Sequence, residues 1–89
     1  VSSTINCDLV SFDGVIFSGP VKMVVVRSSL GDLGITFGHT PLLADLVAGK
    51  LRLITPNVSN LEFNISGGFI EVQPNMVKIL ADVVEKKHE

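Results

Sequence analysis

LEFNISGGFIEVQPNMVKILADVV, residues 61–84, decides the fold class. Leu61, Phe63 and Ile65 alternate with Glu62, Asn64 and Ser66. A period of two sends successive side chains to opposite faces, so residues 61–66 are predicted as a half-buried strand. Gly67–Gly68 follows directly. A glycine pair weakens a strand unless the backbone requires it, so the pair is read as a bulge or a point of close backbone approach. Residues 69–73 resume as a strand, Pro74–Asn75 is hairpin-turn chemistry, and residues 76–84 form a final strand.

The same logic extends towards the N-terminus. Ile5, Cys7 and Leu9 alternate with Asn6 and Asp8, which predicts a strand over residues 5–12. Asp13–Gly14 is a turn pair, residues 15–17 a brief strand, and Ser18–Gly19–Pro20 a break. Residues 21–28, VKMVVVRS, are dense in β-branched side chains and read as a strand. The run 23–26 has lost alternation, which predicts burial on both faces.

Residues 31–43, GDLGITFGHTPLL, are too rich in glycine for a helix and too apolar for a solvated loop. They are read as a shaped connection. A tight turn falls at Gly31–Asp32, an extended piece covers 33–37, and a second turn falls at Gly38–His39. Residues 45–49 connect to a strand over 51–55, where Leu51, Leu53 and Thr55 alternate with Lys50 and Arg52; 56–60 is a turn. Turn signals thus recur about every eight to twelve residues, as in an all-β sandwich or barrel. Two sheets packed face to face are expected, because one sheet this apolar would leave a large sticky face. The sandwich is placed at residues 1–84 and a charged tail at 85–89.

Composition bounds the function. The chain has 89 residues, enough for one small domain, and 46% hydrophobic content excludes a disordered chain. The net charge of −2 is spread without a basic stripe, which argues against a nucleic-acid partner. Cys7 is the only cysteine, so there is no internal disulfide, and a reducing compartment suits it. No apolar run approaches the roughly 20 residues of a membrane helix, and no signal peptide is visible.

Catalytic constellations are weak. His39 could be combined with Ser66 and with Asp32 or Asp45 as a triad, or with Cys7 as a thiol pair. Triads are defined by geometry rather than possession, no G-x-S-x-G elbow is present, and Cys7 sits on an apolar parity. Gly31-x-x-Gly34 lacks the Lys-Ser/Thr of a phosphate loop, and two histidines far apart make a poor metal set. Asn57-Val-Ser59 and Asn64-Ile-Ser66 match the glycosylation acceptor pattern and are read as ordinary polar positions. No cofactor is expected. What remains is a protein-interaction module, with a generic β-sandwich adaptor for another partner as the alternative to the reading below.

Three motifs in register carry a resemblance. The first is Phe17-Ser18-Gly19 after Leu9-Val10-Ser11. The second is Gly31-Asp32-Leu33-Gly34-Ile35 followed by Gly38-His39-Thr40-Pro41-Leu42-Leu43. The third is Ser66-Gly67-Gly68-Phe69-Ile70-Glu71-Val72-Gln73-Pro74-Asn75, then Val77 and Leu80-Ala81-Asp82. Together, over roughly residues 4–83, they resemble the epsilon subunit of rotary proton-translocating ATP synthases, called delta in mitochondria. The resemblance implies an N-terminal sandwich of about ten strands in a non-catalytic subunit of the central stalk. That subunit binds gamma and the membrane c-ring, turns with them, and couples proton translocation to ATP synthesis performed on the beta subunits.

It also implies a peripheral location on the catalytic-head side of the energy-coupling membrane, the cytoplasmic face of the inner membrane if bacterial, without direct insertion. By position, Ser28, Ser29, Leu30, Gly31, Asp32 and Leu33 match the loop set against the c-ring, where a carboxylate would meet a basic residue. His39, Pro41, Leu42 and Leu43 match the segment near gamma. Two departures stand out. Phe37 occupies the place of the usual proline before Gly-His. The family's C-terminal helical hairpin has no counterpart after Asp82, so inhibition of hydrolysis and ATP binding are not carried over.

Overall fold

The computed structural model describes residues 3–57 and 60–86, apart from the side chain of Val83. Residues 87–89 of the expected tail, with His88, and the middle of the 56–60 turn lie outside the described residues. Among the described residues there are seven strands: β1 (Ile5–Ser11), β2 (Gly14–Val21), β3 (Met23–Ser28), β4 (Gly31–Ile35), β5 (Leu42–Ile54), β6 (Asn60–Gln73) and β7 (Met76–Lys86). No helix occurs among the described residues.

The all-β class holds, but the expected two sheets of about ten short strands do not. All seven strands lie in one hydrogen-bonded sheet of order β2-β1-β7-β6-β5-β3-β4. Every pair is antiparallel except β1 with β7. The count falls because the glycines punctuate without terminating. Ser18–Gly19–Pro20 lies inside β2, Gly49 inside β5, and Gly67–Gly68 inside β6.

The single sheet folds over its own inner face. Buried apolar residues from all seven strands join one cluster, including Ile5, Cys7 and Leu9 on one flank and Val24, Val26 and Ile35 on the other. A flat sheet would leave one face of these wet. The shortest dimension of the molecule, 22 Å, also exceeds a single layer, since packed sheets stand about 10 Å apart. The expected burial of 23–26 on both faces is only half met: Val24 and Val26 are buried, and Met23 and Val25 are half-exposed.

The fold-over has a local signature. In β5 the inward residues are Ala44 and Leu46, then Leu51 and Leu53; in β6 they are Phe63 and Ile65, then Ile70 and Val72. Both strands change inward parity, yet their pairing keeps one register from Leu42↔Val72 to Ile54↔Asn60. The paired strands therefore turn together, and the reading of Gly67–Gly68 as a bulge gives way to close approach. A Cβ on Gly68 would overlap the Leu80 carbonyl oxygen and lie 2.9 Å from the Ala81 Cα.

Candidate docking surfaces

The β3–β4 hairpin carries the first candidate set. Arg27 pairs with Asp32 and Ser28 with Gly31, so the turn is Ser29–Leu30 and not Gly31–Asp32. Gly31 and Asp32 instead begin β4, with Gly31 at φ +115°, an angle that side chains disfavour. Ser28 is 4% exposed. Its hydroxyl donates to the Gly31 carbonyl at 2.8 Å and accepts the Leu30 N–H at 3.0 Å. The Ser29 N–H donates to the Asp45 carbonyl of β5 at 2.9 Å. Leu30 stands 68% exposed at the apex, while Leu33 packs partly on the core. The Asp32 carboxylate is 3.0 Å from the Arg27 Nε of its own hairpin, and both side chains are well exposed.

A cleft of about 380 Å³ adjoins the hairpin, lined by Val25, Val26, Arg27, Asp32, Gly49, Lys50 and Arg52. It opens where β3 and β5 part, between the pairs Val25↔Arg52 and Ser28↔Leu46. Two of its three cations face carboxylates: Arg27 meets Asp32, and Arg52 meets Glu62 at 3.6 Å.

The second set lies in the β4–β5 connection. Its turn is Phe37–Gly38, one residue earlier than expected, closed by the His39 N–H on the Thr36 carbonyl at 3.2 Å. The Gly38 N–H reaches the Pro74 carbonyl at 2.7 Å and fastens the connection to the β6–β7 turn. His39 Nδ1 donates to the Thr40 carbonyl at 2.7 Å, since a carbonyl can only accept. Pro41 is exposed and Leu43 62% exposed, whereas Leu42 packs against the core. Phe37, in the proline's place, is an exposed apolar side chain.

A third feature was missed from sequence. The register lines up Val15 (β2), Val10 (β1), Leu80 (β7) and Phe69 (β6) across the outer face. Val15, Leu80 and Phe69 are exposed, Val10 is half-exposed, and Phe12 at the adjoining turn is 97% exposed. The neighbouring row is polar: Ser18, Asp8, Lys78 and Glu71, ending on Leu43. Ser18 Oγ donates to Asp8 Oδ1 at 2.7 Å. The signal was readable, because Leu80 sits on the parity of Lys78 and Asp82, and Phe69 on that of Glu71 and Gln73. An apolar residue on a polar parity is an exposed one.

The residues weighed for catalysis are dispersed. Cys7 is fully buried, and burial, with the Asp8 charge beside it, pushes its thiol up to about 12. Ser66 donates its hydroxyl to the Asp82 carbonyl at 3.1 Å, mid-way along β6, while the His39 turn is fastened at the far end of that strand. Among the described residues no group of three or more His, Cys, Asp or Glu is placed to hold a metal ion. No helix among them is long and apolar enough to cross a membrane.

The described residues thus form a curled all-β sheet with an apolar outer row and an ordered hairpin. Residues 4–87 match the family of the ATP synthase delta/epsilon chain, beta-sandwich domain, and the chain belongs to that family. It is similar to a chain of the Euglena gracilis mitochondrial ATP synthase OSCP/F1/c-ring structure in rotational state 1, with 25% identity and a TM-score of 0.88. That likeness covers 97% of this chain and 55% of the Euglena chain, so the sequence spans about half of that protein. The fold also matches a chain of the Tetrahymena thermophila mitochondrial ATP synthase central stalk/c-ring, at 18% identity and a TM-score of 0.75, over 93% of this chain and 66% of the other.

Proposed function

We propose that this domain is a non-catalytic rotor element of the central stalk of a proton-driven ATP synthase. Its outer face binds the gamma subunit, its β3–β4 hairpin meets the c-ring, and the two contacts couple proton translocation to ATP synthesis. It works at the catalytic-head side of the energy-coupling membrane, the cytoplasmic face in a bacterium, without inserting. It needs no cofactor. The docking body is the sheet from β1 to β7, and it takes in Glu85 and Lys86, which are expected from sequence in a tail but pair with Asn64 and Phe63.

The observation that carries this reading is the outer row Val15–Val10–Leu80–Phe69, flanked by a charged row. An apolar strip with a polar rim is the anatomy of a protein interface. Leu43 and Pro41 extend the face towards the His39 connection; Leu42 supports it from the core. A torque-bearing part also needs a stiff body, and a packed interior deforms little.

The test is a titration of the 89-residue chain against the cognate gamma subunit. Saturable one-to-one binding is expected, weakened about tenfold or more by Leu80→Asp, which changes an exposed side chain and leaves the core alone. Absence of binding by the folded wild-type chain overturns the assignment.

A further inference from the structure

The cleft where β3 and β5 part is positive in a chain that is not. Arg27, Lys50 and Arg52 line it with one carboxylate, Asp32, whereas the chain as a whole has a net charge of −2. Lys50 and Arg52 stand two positions apart on β5, both outward, and Arg27 flanks them from β3. Arg27 and Arg52 face their carboxylates through Nε, at 3.0 Å and 3.6 Å. A guanidinium also carries N–H donors on its two terminal nitrogens, so its outer edge can take a second acceptor. Lys50 makes no ion pair among the described residues. Between Val25↔Arg52 and Ser28↔Leu46, residues 26–27 of β3 face residues 47–51 of β5. The longer side has more N–H and C=O groups than the shorter can pair, so some are left without a ladder partner. Gly49 lies in this stretch and lines the cleft, and a Cβ there would meet nothing within 4 Å, so a ligand can approach its backbone.

From this arrangement we propose that the cleft binds a compact phosphate group, either a free anion such as pyrophosphate or the phosphate of a lipid headgroup. Lys50 supplies the charge that has no partner, and the outer edges of Arg27 and Arg52 close on the phosphate oxygens from two strands. The planar fork of a guanidinium matches the spacing of phosphate oxygens. A volume of about 380 Å³ holds such a group with its water. A divalent cation does not suit the same walls, because they offer it a single carboxylate. Asp32 works against the anion, since it repels phosphate and occupies Arg27. Affinity is therefore modest, on the order of millimolar, because exposed charges contribute little each. The proposal does not depend on the stalk reading.

The test is a titration of the 89-residue chain with pyrophosphate at about 0.05 M salt, followed by amide shifts, for wild type, Lys50→Met, Asp32→Asn and Lys78→Met. All three substitutions fall on exposed side chains, and the same spectra report folding. Saturable shifts centred on residues 27 and 49–52 are expected. Affinity should fall about threefold or more in K50M and rise about twofold or more in D32N. K78M removes the same charge from the outer polar row and should bind as wild type does. If K78M loses as much as K50M, the anion follows overall charge and the proposal is overturned. Weaker binding by D32N, shifts centred elsewhere, or no saturation by about 20 mM pyrophosphate also overturns it. Phosphatidylglycerol vesicles separate the two sources. Co-sedimentation that K50M abolishes assigns the phosphate to a headgroup, and pyrophosphate binding without co-sedimentation assigns it to a free anion.

Discussion

Gly68 lies directly beneath Leu80, so close that the Leu80 carbonyl oxygen occupies the space a Cβ would need. The two are diagonal neighbours across β6 and β7, where Gly68 pairs with Ala81 and Leu80 with Phe69. Gly68 also holds φ +144°, outside the range that side chains favour. Gly68→Ala is therefore expected to lower stability by about 2 kcal/mol or more, through overlap with backbone and through strain. In a domain this size that corresponds to a melting temperature lower by roughly 8 °C or more. Gly49→Ala meets nothing within 4 Å and should cost less. Thermal unfolding of the two variants side by side checks the ranking.

The Cys7 thiol predicts a pH dependence. Its folded pKa is raised from 9.0 to about 12 by burial and by Asp8, so the folded chain keeps the proton after the unfolded chain has released it. The unfolded state then binds fewer protons, and stability falls as pH rises. The contribution is whole below pH 9 and declines by about 1.4 kcal/mol per pH unit above it, until the folded thiol itself titrates. Comparing the alkaline slope of unfolding free energy for wild type and Cys7→Ala isolates this group. Equal slopes would show that the thiol does not carry it. A thiol reagent at pH 8 should label Cys7 only as fast as the domain opens.

Ser28→Ala should loosen the hairpin without collapsing the fold. Two hydrogen bonds are lost, and the partners left behind at the apex are partly solvated. A loss of about 1–2 kcal/mol follows. Amide exchange should accelerate at Leu30 more than at Val24, which is deep in the same sheet. Uniform acceleration would mean that Ser28 supports the whole sheet rather than the turn.

In the polar outer row, Lys78 stands between Asp8 and Glu71 on the neighbouring strands. Lys78→Glu places like charges opposite one another. The expected penalty is up to about 1 kcal/mol at low ionic strength, and it shrinks in about 0.5 M salt. Chemical denaturation at the two salt levels reads it directly. A penalty that ignores salt would be steric.

Alternation made β1 and the first half of β6 legible, because side chains at Ile5, Cys7, Leu9, Phe63 and Ile65 repeat with period two and all prove buried. Pro74–Asn75 was legible as a turn for its φ restriction. The strand breaks were not. Gly49, Gly67 and Ser18–Gly19–Pro20 look like punctuation, but a paired neighbour holds each in extended form. A single sheet folding over itself leaves no local trace beyond a parity change, which needs two strands read together. The candidate contacts were legible as segments and not as faces. Residues 28–33 include a buried serine and an exposed leucine, and 39–43 a core-facing Leu42 beside an outward Leu43. Facing depends on register, which pairs residues far apart in sequence.

The parallel pairing of β1 with β7 joins Asn6 to Met76 and Val10 to Leu80, seventy positions apart. During synthesis, β1 must wait for β7 before it has a neighbour on its inner side. Until then Ile5, Cys7 and Leu9 have only β2 beside them, and β3 to β6 pair among themselves. The domain therefore closes late and in one step, at a rate set by a long loop closure rather than by local hairpins. A nascent chain paused before residue 76 would expose the β1–β2 hairpin as a client for chaperones.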